Sequence, residues 1–411
     1  MTTVSIKQYL SLAKITPLFQ SAKFFDDIFY ITFLFAIFGT LKSKFYMHSF
    51  FFTSLMFFLM PVSGVASTPI EQQGNFFNAG DSRIQYVGRV RMTAGNTAEF
   101  NFPGTVIRTR FNGTSIKMMC RPETGYFMAE VDGCKAFKIA FSGKKDSVVT
   151  VAAGLPSGTH TVRLMYAIEG LFRHPEFRGF ITDGDANLLE PAPMPERKIE
   201  FIGNSITCGY GIESVVASDP FEDETENHYY TYANLVSDSL NALHTSISRS
   251  GIGVYRNYNG PKTGDKENMP WQYDYTLFND HSQKWDFAKW TPQLVCINLG
   301  TNDLSTNNYD ISLYEKAYRN FLATVRSRYP KAKIVLLTGP MLGEKDNNAE
   351  KDALNKICRD FNKKGDKNVY RFDFSFQTGD LGYGASWHPS LKQHRKMAAE
   401  LTPFLRKLMA W

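Results

Sequence analysis

Cysteine is scarce in this chain. Five in 411 residues cannot form a disulfide framework, and the odd count leaves at least one thiol free. No Cys/His grouping has the spacing of a zinc site, so neither a metal nor any other cofactor is implied. No apolar run is long enough for a confident membrane span, since 28–41 and 50–60 both fall short of the roughly 20 residues a helix needs. Basic clusters are missing too. The formal charge is +6, but residues 1–66 carry five Lys and two Asp, so +3 sits there and +3 on everything else. That excludes a nucleic-acid footprint. No internal repeat stands out, which argues against a solenoid or propeller.

What is present is enough apolar content, 43%, to bury a large core, and a length that suits two or three domains. Residues 1–66 do not read as one of them. The second apolar stretch fits a signal peptide starting at Met47, with His48 as a weak basic end, a Phe/Leu-rich core, and Gly64-Val65-Ala66 before the cut. On that reading residues 1–46 reflect an upstream start, the mature protein is secreted or periplasmic, and no stable membrane insertion follows cleavage. An uncleaved N-terminal anchor is the alternative. No Cys lies near the cut to take a lipid.

From about Arg83 to Ile181 the apolar pattern has period two, as in Ala98-Phe100-Phe102, Phe127-Ala129-Val131, Phe137-Ile139-Phe141 and Val162-Leu164-Tyr166. Turn signals at Asn112-Gly113, Asp132-Gly133 and Pro156-Ser157-Gly158 punctuate it. This predicts an all-β, jelly-roll-like sandwich over 67–190. Cys120 and Cys134 could pair across its strands if the protein is exported. Pro191-Ala192-Pro193-Met194-Pro195 then marks a stiff linker over 191–198.

Past the linker, strand-like runs at 199–202, 294–299, 334–338 and 369–374 alternate with helical patterns around 229–243, 313–329, 350–361 and 391–408. One more short strand is expected before Ser250-Gly251. The alternation predicts a doubly wound α/β domain over 199–411, a parallel sheet with helices on both faces.

Three fragments of that second half carry chemistry. The run Ile199-Glu200-Phe201-Ile202-Gly203-Asn204 ends abruptly in Ser205, Gly300-Thr301-Asn302-Asp303 follows a second apolar strand, and Trp387-His388-Pro389 precedes the last helix. Each alone has a bland reading: a serine after such a turn can simply cap a helix, and a Gly-x-Asn-Asp turn can be only a turn. Together they fall along the edge where an open parallel sheet binds ligands. Ser205 would be the nucleophile and His388 the general base and acid. The oxyanion would be met by the Ser205 N–H, the Asn302 side chain and the Gly251 N–H, with Gly253 as a rival for the last. Cys296, inside an apolar run, reads as core.

The blocks Gly203-Asn204-Ser205, Ser250-Gly251, Gly300-Thr301-Asn302-Asp303 and Trp387-His388-Pro389 resemble those of the SGNH hydrolases, whose four name-giving residues would be Ser205, Gly251, Asn302 and His388. The run Gly203-Asn204-Ser205-Ile206-Thr207-Cys208-Gly209-Tyr210-Gly211 behind an all-β domain is more specifically similar to carbohydrate esterase family two. The resemblance covers about Gln85 to the C-terminus and implies a flavodoxin-like SGNH domain. It also implies metal-free removal of O-acetyl groups from polysaccharides such as xylan or glucomannan, the acetylxylan esterase activity. One departure matters. SGNH enzymes commonly place Asp two or three residues before the histidine, where this chain has Ser386 and Ala385. The resemblance then points to members that use a Ser-His dyad with a backbone carbonyl orienting the imidazole, and Asp373 or Asp380 are distant substitutes. A third group orients the base without taking its proton, so its loss is tolerable.

Sugar faces stack on aromatics. Trp387, beside the expected base, is the first candidate for binding substrate, with Trp271 and Tyr255 behind it. The expected partner is an acetylated polysaccharide or oligosaccharide, the expected state a monomer. Two rival functions remain from sequence: a non-catalytic carbohydrate-binding protein on a hydrolase scaffold, suggested by the missing acid and the extra β domain, and an SGNH esterase acting on lipid or thioester.

Overall fold

The alternation of buried side chains along one strand sets the architecture of the second half. In β13 (Arg197–Gly203), Ile199 and Phe201 point to one face of a sheet and Ile202 to the other. The same split recurs in β17 (Leu294–Ile297) and β18 (Lys333–Thr338). A strand apolar on both faces needs cover on both. Helices α5 (Ile311–Arg328) and α6 (Glu344–Lys363) supply it on one side through Tyr318, Phe321, Leu322, Leu354 and Ile357. Helices α2 (Tyr232–Ser239) and α7 (Leu391–Met409) supply it on the other through Val236, Met397 and Leu401.

The computed structural model describes residues 74–411 apart from 146, 171 and 307. The expected signal segment from Met47 and its cut after Ala66 lie outside the described residues. Among the described residues no helix is long and apolar enough to cross a membrane.

The sheet is parallel throughout, with strand order β14-β13-β17-β18-β19, where β14 is Ala242–Ser248 and β19 is Val369–Asp373. The chain direction of this order reverses between β13 and β17. Loops after those two strands diverge there and leave a crevice at their C-terminal ends. Helix α1 (Ser205–Cys208) follows β13 directly, and α4 (Thr301–Leu304) follows β17 after three residues. The helical pattern expected over 229–243 stops at Ser239, because Asn241 turns left-handed (φ 48°) and Leu243 belongs to β14. The expected linker also gives way early, since β13 begins at Arg197.

The first half forms two antiparallel sheets. The short outer strands are β1 (Asn75–Asn78), β2 (Gln85–Val87), β3 (Arg91–Met92) and β12 (Leu188–Leu189); one sheet runs β3-β4-β11-β6-β9 with β1 beside β11, the other β12-β5-β10-β7-β8 with β2 beside β5. The central strands are β4 (Ala98–Glu99), β5 (Val106–Gly113), β6 (Ile116–Cys120), β7 (Gly125–Val131), β8 (Phe137–Phe141), β9 (Val148–Ala152), β10 (Gly158–Tyr166) and β11 (Glu176–Thr182). Their inward residues share one core in which Phe100 meets Phe127 and Tyr166 edge-on. The pairing considered for Cys120 and Cys134 is not formed. Both are free, Cys120 buried on β6 and Cys134 exposed in the turn after β7.

The described residues cluster as one unit. Arg89 shows why. It is fully buried, its guanidinium donates to the carbonyls of Tyr273 and Tyr275, and it lies over the rings of Phe102, Tyr273, Trp285 and Phe287. Burial raises the pKa of Glu200 on β13, and the Arg89 charge and the hydroxyls of Tyr273 and Tyr329, which donate to its carboxylate, oppose that rise. Asn101 adds a reciprocal amide pair to the backbone of Phe278, at 2.8 Å in both directions. A buried cation with fixed acceptors ties the two halves, so they are expected to unfold together. Arg89→Met should strip that anchor and lower the unfolding free energy by about 3 kcal/mol. Urea titration followed by circular dichroism should show a lower midpoint with the transition still single.

Candidate active site

Ser205 opens α1 two residues past the end of β13. Asn204 caps the helix in an extended conformation, its Oδ1 accepting from the Ile206 N–H at 3.1 Å. The bland expectation of a capping serine therefore fails, because the cap is Asn204 and the Ser205 hydroxyl is left for other work. That hydroxyl lies 2.9 Å from His388 Nε2.

His388 is held from the other side of its ring. Nδ1 faces the carbonyl oxygens of Ala385 and Ser386 at 3.1 and 3.2 Å, which requires that Nδ1 carry the proton and leaves Nε2 free to accept from Ser205. The ring stacks on Tyr210 at 4.0 Å between centroids and 23° between planes, and Tyr210 in turn packs on Phe221. Burial disfavours the imidazolium and holds the pKa down at about 4, against an opposing contribution from the two carbonyls. At neutral pH the imidazole is uncharged, with Nε2 free to accept a hydrogen bond.

The turn that makes this possible is strained. Ser386 and Trp387 are both left-handed, with φ of 50° and 57°, a conformation that costs non-glycine residues on the order of 1–2 kcal/mol each. The loop after α1 holds it in place. Gly211 O accepts from the Ala385 N–H, Asp219 O from Ser386, and Ala217 O from Trp387, all at 3.0 Å. Gly211 itself (φ 55°) touches this turn so closely that a Cβ would lie 2.3 Å from the Ala385 Cβ. Neither distant acid reaches the imidazole. Asp373 pairs with Arg371 and accepts from the Thr338 hydroxyl, and Asp380 accepts from Thr378.

Two further segments leave the same edge of the sheet, after β14 and β17. Asn302 on α4 donates one amide hydrogen to Ile252 O at 2.8 Å, which aims the side chain and leaves the second hydrogen available. The loop 250–258 that carries Gly251 is fixed by Asp303. Its carboxylate accepts from the backbone N–H groups of Val254, Tyr255 and Arg256 at 2.8–3.2 Å, and burial raises its pKa to about 6 against those bonds. Gly253, the rival to Gly251, donates its N–H to Asn257 Oδ1 at 3.2 Å and is spent.

The aromatic candidates divide. Trp387 is 56% exposed beside His388 and Trp271, on α3 (Met269–Gln272), is 41% exposed against His281. Tyr255 is a correction: it is buried in the main core with its hydroxyl accepting from the Asp310 N–H, so no ring face is open to a sugar. A cleft of about 330 Å³ opens beside Phe221, walled by Phe172, Arg173 and His174 from the β domain.

One buried group of ligand-type side chains, Glu169, Cys208 and Glu226, lies next to α1 with its donor atoms within 4.8 Å. Burial pushes all three pKa values up, Cys208 and Glu226 strongly, which favours the protonated forms over those a metal ion needs. Glu169 and Glu226 already accept from backbone N–H groups.

Comparison with known proteins agrees with this geometry. Residues 86–193 match the family model described as carbohydrate esterase 2 N-terminal, and residues 199–401 that described as GDSL-like lipase/acylhydrolase. An acetylxylan esterase / glucomannan deacetylase of Cellvibrio japonicus is 30% identical over 339 residues, covering 81% of this chain and 91% of that protein. The chain belongs to carbohydrate esterase family two. That is a family of carboxylic ester hydrolases. The cellulase/esterase CelE of Acetivibrio thermocellus is 36% identical over 332 residues, 80% of this chain, and the family two chain spans only 40% of CelE's length. A family two carbohydrate esterase from Clostridium thermocellum, solved in complex with cellohexaose, superposes with a TM-score of 0.74 at 35% identity, covering 80% of this chain and 99% of that one.

Sequence reading missed three residues of this site. Tyr210 and Asp303 sat inside quoted motifs but were given no role, while Glu169 carried no signal at all. Two outcomes follow for ester hydrolysis. The acid limb of kcat/KM should have its midpoint near pH 4, well below the 6.5 of a free imidazole, since only neutral His388 can take the proton and its pKa is depressed. Gly211→Ala, which thrusts a methyl into the Ala385 turn, should cut kcat by about 100-fold while circular dichroism shows an intact fold.

Proposed function

We propose that this chain is an exported serine esterase that removes O-acetyl groups from polysaccharides of the xylan or glucomannan type, through an acetyl-enzyme on a Ser205–His388 dyad. The observation that carries the reading is the 2.9 Å approach of Ser205 Oγ to His388 Nε2 while Nδ1 is committed to peptide carbonyls. His388 takes the hydroxyl proton as Ser205 Oγ attacks the acetyl carbon. The carbonyl oxygen becomes an oxyanion, met by the N–H groups of Ser205 and Gly251 and by the free amide hydrogen of Asn302. The imidazolium, still donating from Nδ1 to Ala385 and Ser386, returns its proton from Nε2 to the departing sugar oxygen. A water then repeats the cycle on the acetyl-enzyme, with His388 as base, and releases acetate. No carboxylate is needed for the tautomer, although an acid in that place would stabilise the imidazolium more.

The substrate class is supported by the relatives named for acetylxylan and glucomannan, by the exposed indole of Trp387 next to the base, and by the aromatic-walled cleft beside Phe221. Export is supported by the Phe/Leu-rich run before Gly64-Val65-Ala66. We also read the β domain as a jelly roll. Its orders β4-β11-β6-β9 and β5-β10-β7-β8 support that winding.

Acetate release from acetylated xylan and glucomannan tests the function. Wild type should release acetate with or without a chelator, and Ser205→Ala and His388→Ala should each lose at least 1,000-fold in kcat with folding retained. Full activity in either variant, or binding of both polymers without turnover by wild type, overturns the esterase reading.

A further inference from the structure

We propose that Glu169, a residue of the β domain, is a positioning residue for the Gly251 N–H, so that the first half of the chain sets part of the oxyanion geometry of the second. The inference rests on the esterase reading above.

Gly251 is anchored through its carbonyl, which accepts from the Tyr258 N–H at 2.8 Å, but that bond lies on the peptide after the one that carries its N–H. It is left-handed at φ 76°, and the space a Cβ would occupy has nothing within 4 Å, so no packing fixes the peptide on that side. Its N–H direction is set by the bonds of its neighbours. On the C-terminal side those are Asn302 on Ile252 O and the Asp303 carboxylate on the N–H groups of Val254, Tyr255 and Arg256. On the N-terminal side the anchor is Glu169, whose Oε2 accepts from the Ser250 N–H at 2.6 Å. The peptide that carries the Gly251 N–H is therefore clamped from both ends, one clamp per domain.

Glu169 is itself fixed. It is buried in the loop after β10, and its own N–H donates to Glu226 Oε2 at 2.9 Å. Two residues earlier, Ala167 O accepts from the His228 N–H at 2.7 Å, so the loop is tied twice to the esterase half. The same Oε2 lies 3.7 Å from the Cys208 thiol at the far end of α1, the helix that begins with Ser205. One carboxylate oxygen thus stands between the nucleophile's helix and the oxyanion loop.

The experiment uses the full chain with Glu169→Ala, Glu169→Asp and Glu169→Gln, assayed on an aryl acetate and on acetylated xylan, with wild type and Ser205→Ala in parallel. Alanine removes the acceptor and aspartate draws it back by one methylene. Both should lose about 10- to 100-fold in kcat with KM unchanged on the small ester, while glutamine, whose amide oxygen can still accept, stays within threefold of wild type. Inhibition by methylboronic acid, whose tetrahedral adduct on Ser205 puts an oxygen at the oxyanion position, should weaken by the same factor in the alanine and aspartate variants. If alanine does not fold, aspartate carries the comparison. Folded alanine or aspartate variants within twofold of wild type in kcat, or a loss confined to KM, overturn the positioning role and leave the esterase reading standing. An inactive wild type, or an active Ser205→Ala, sinks the esterase reading and this inference with it.

Discussion

The imidazole of His388 is oriented by two peptide carbonyls, and the geometry of the site depends on a turn that has to be held open to present them. Ser386 and Trp387 adopt left-handed backbone for that purpose. The strain, on the order of 1–3 kcal/mol per residue, persists only where the surroundings over-determine it. Here three backbone hydrogen bonds from Gly211, Ala217 and Asp219, together with the Tyr210 stack, do so. Burial works against the cationic form of the imidazole, and two uncharged carbonyls at Nδ1 offset that burial less than a carboxylate would. The depressed basicity of His388 is the other face of that choice.

Sheet topology explains why these groups can meet at all. The loops after β13, β14 and β17 carry Ser205, Gly251 and Asn302, and the strand order reverses between β13 and β17, which opens the crevice there. Asp303 then joins the segments after β14 and β17 by accepting three backbone N–H groups of the loop 250–258. The β domain belongs to the same body through Arg89, Asn101 and Glu169. A module tethered by a flexible linker would have few such bonds and freedom to move.

How much of this was legible beforehand follows from the range of each interaction. Alternating apolar residues and turn signals are local, and they revealed the β strands, the parallel sheet and the helices to within a few residues. Strand β14 blurred because Leu243 satisfies helical and strand periodicity alike. Ser205, Asn302 and His388 were legible because each follows a strand or precedes a helix at a recognisable corner. Tyr255 misled because an aromatic next to a functional loop looks the same in sequence whether its ring faces solvent or core. Glu169 was silent for a different reason. Its partner Ser250 lies 81 positions away, and nothing local to either residue announces a bond between a β-domain loop and an α/β edge.

The histidine that completes the site lies 183 positions after the serine, and only one helix, α7, follows it. That helix packs Met397 and Leu401 against Val236 of α2, and its cap Ser390 accepts from the Gln393 N–H two residues past His388. During synthesis Ser205, Gly251, Asn302 and the whole β domain leave the ribosome before His388 does. A nascent chain can therefore hold the β domain and most of the parallel sheet while the Ser205 hydroxyl still lacks its partner on His388. In refolding, recovery of activity would lag behind recovery of secondary structure by the time α7 takes to seat.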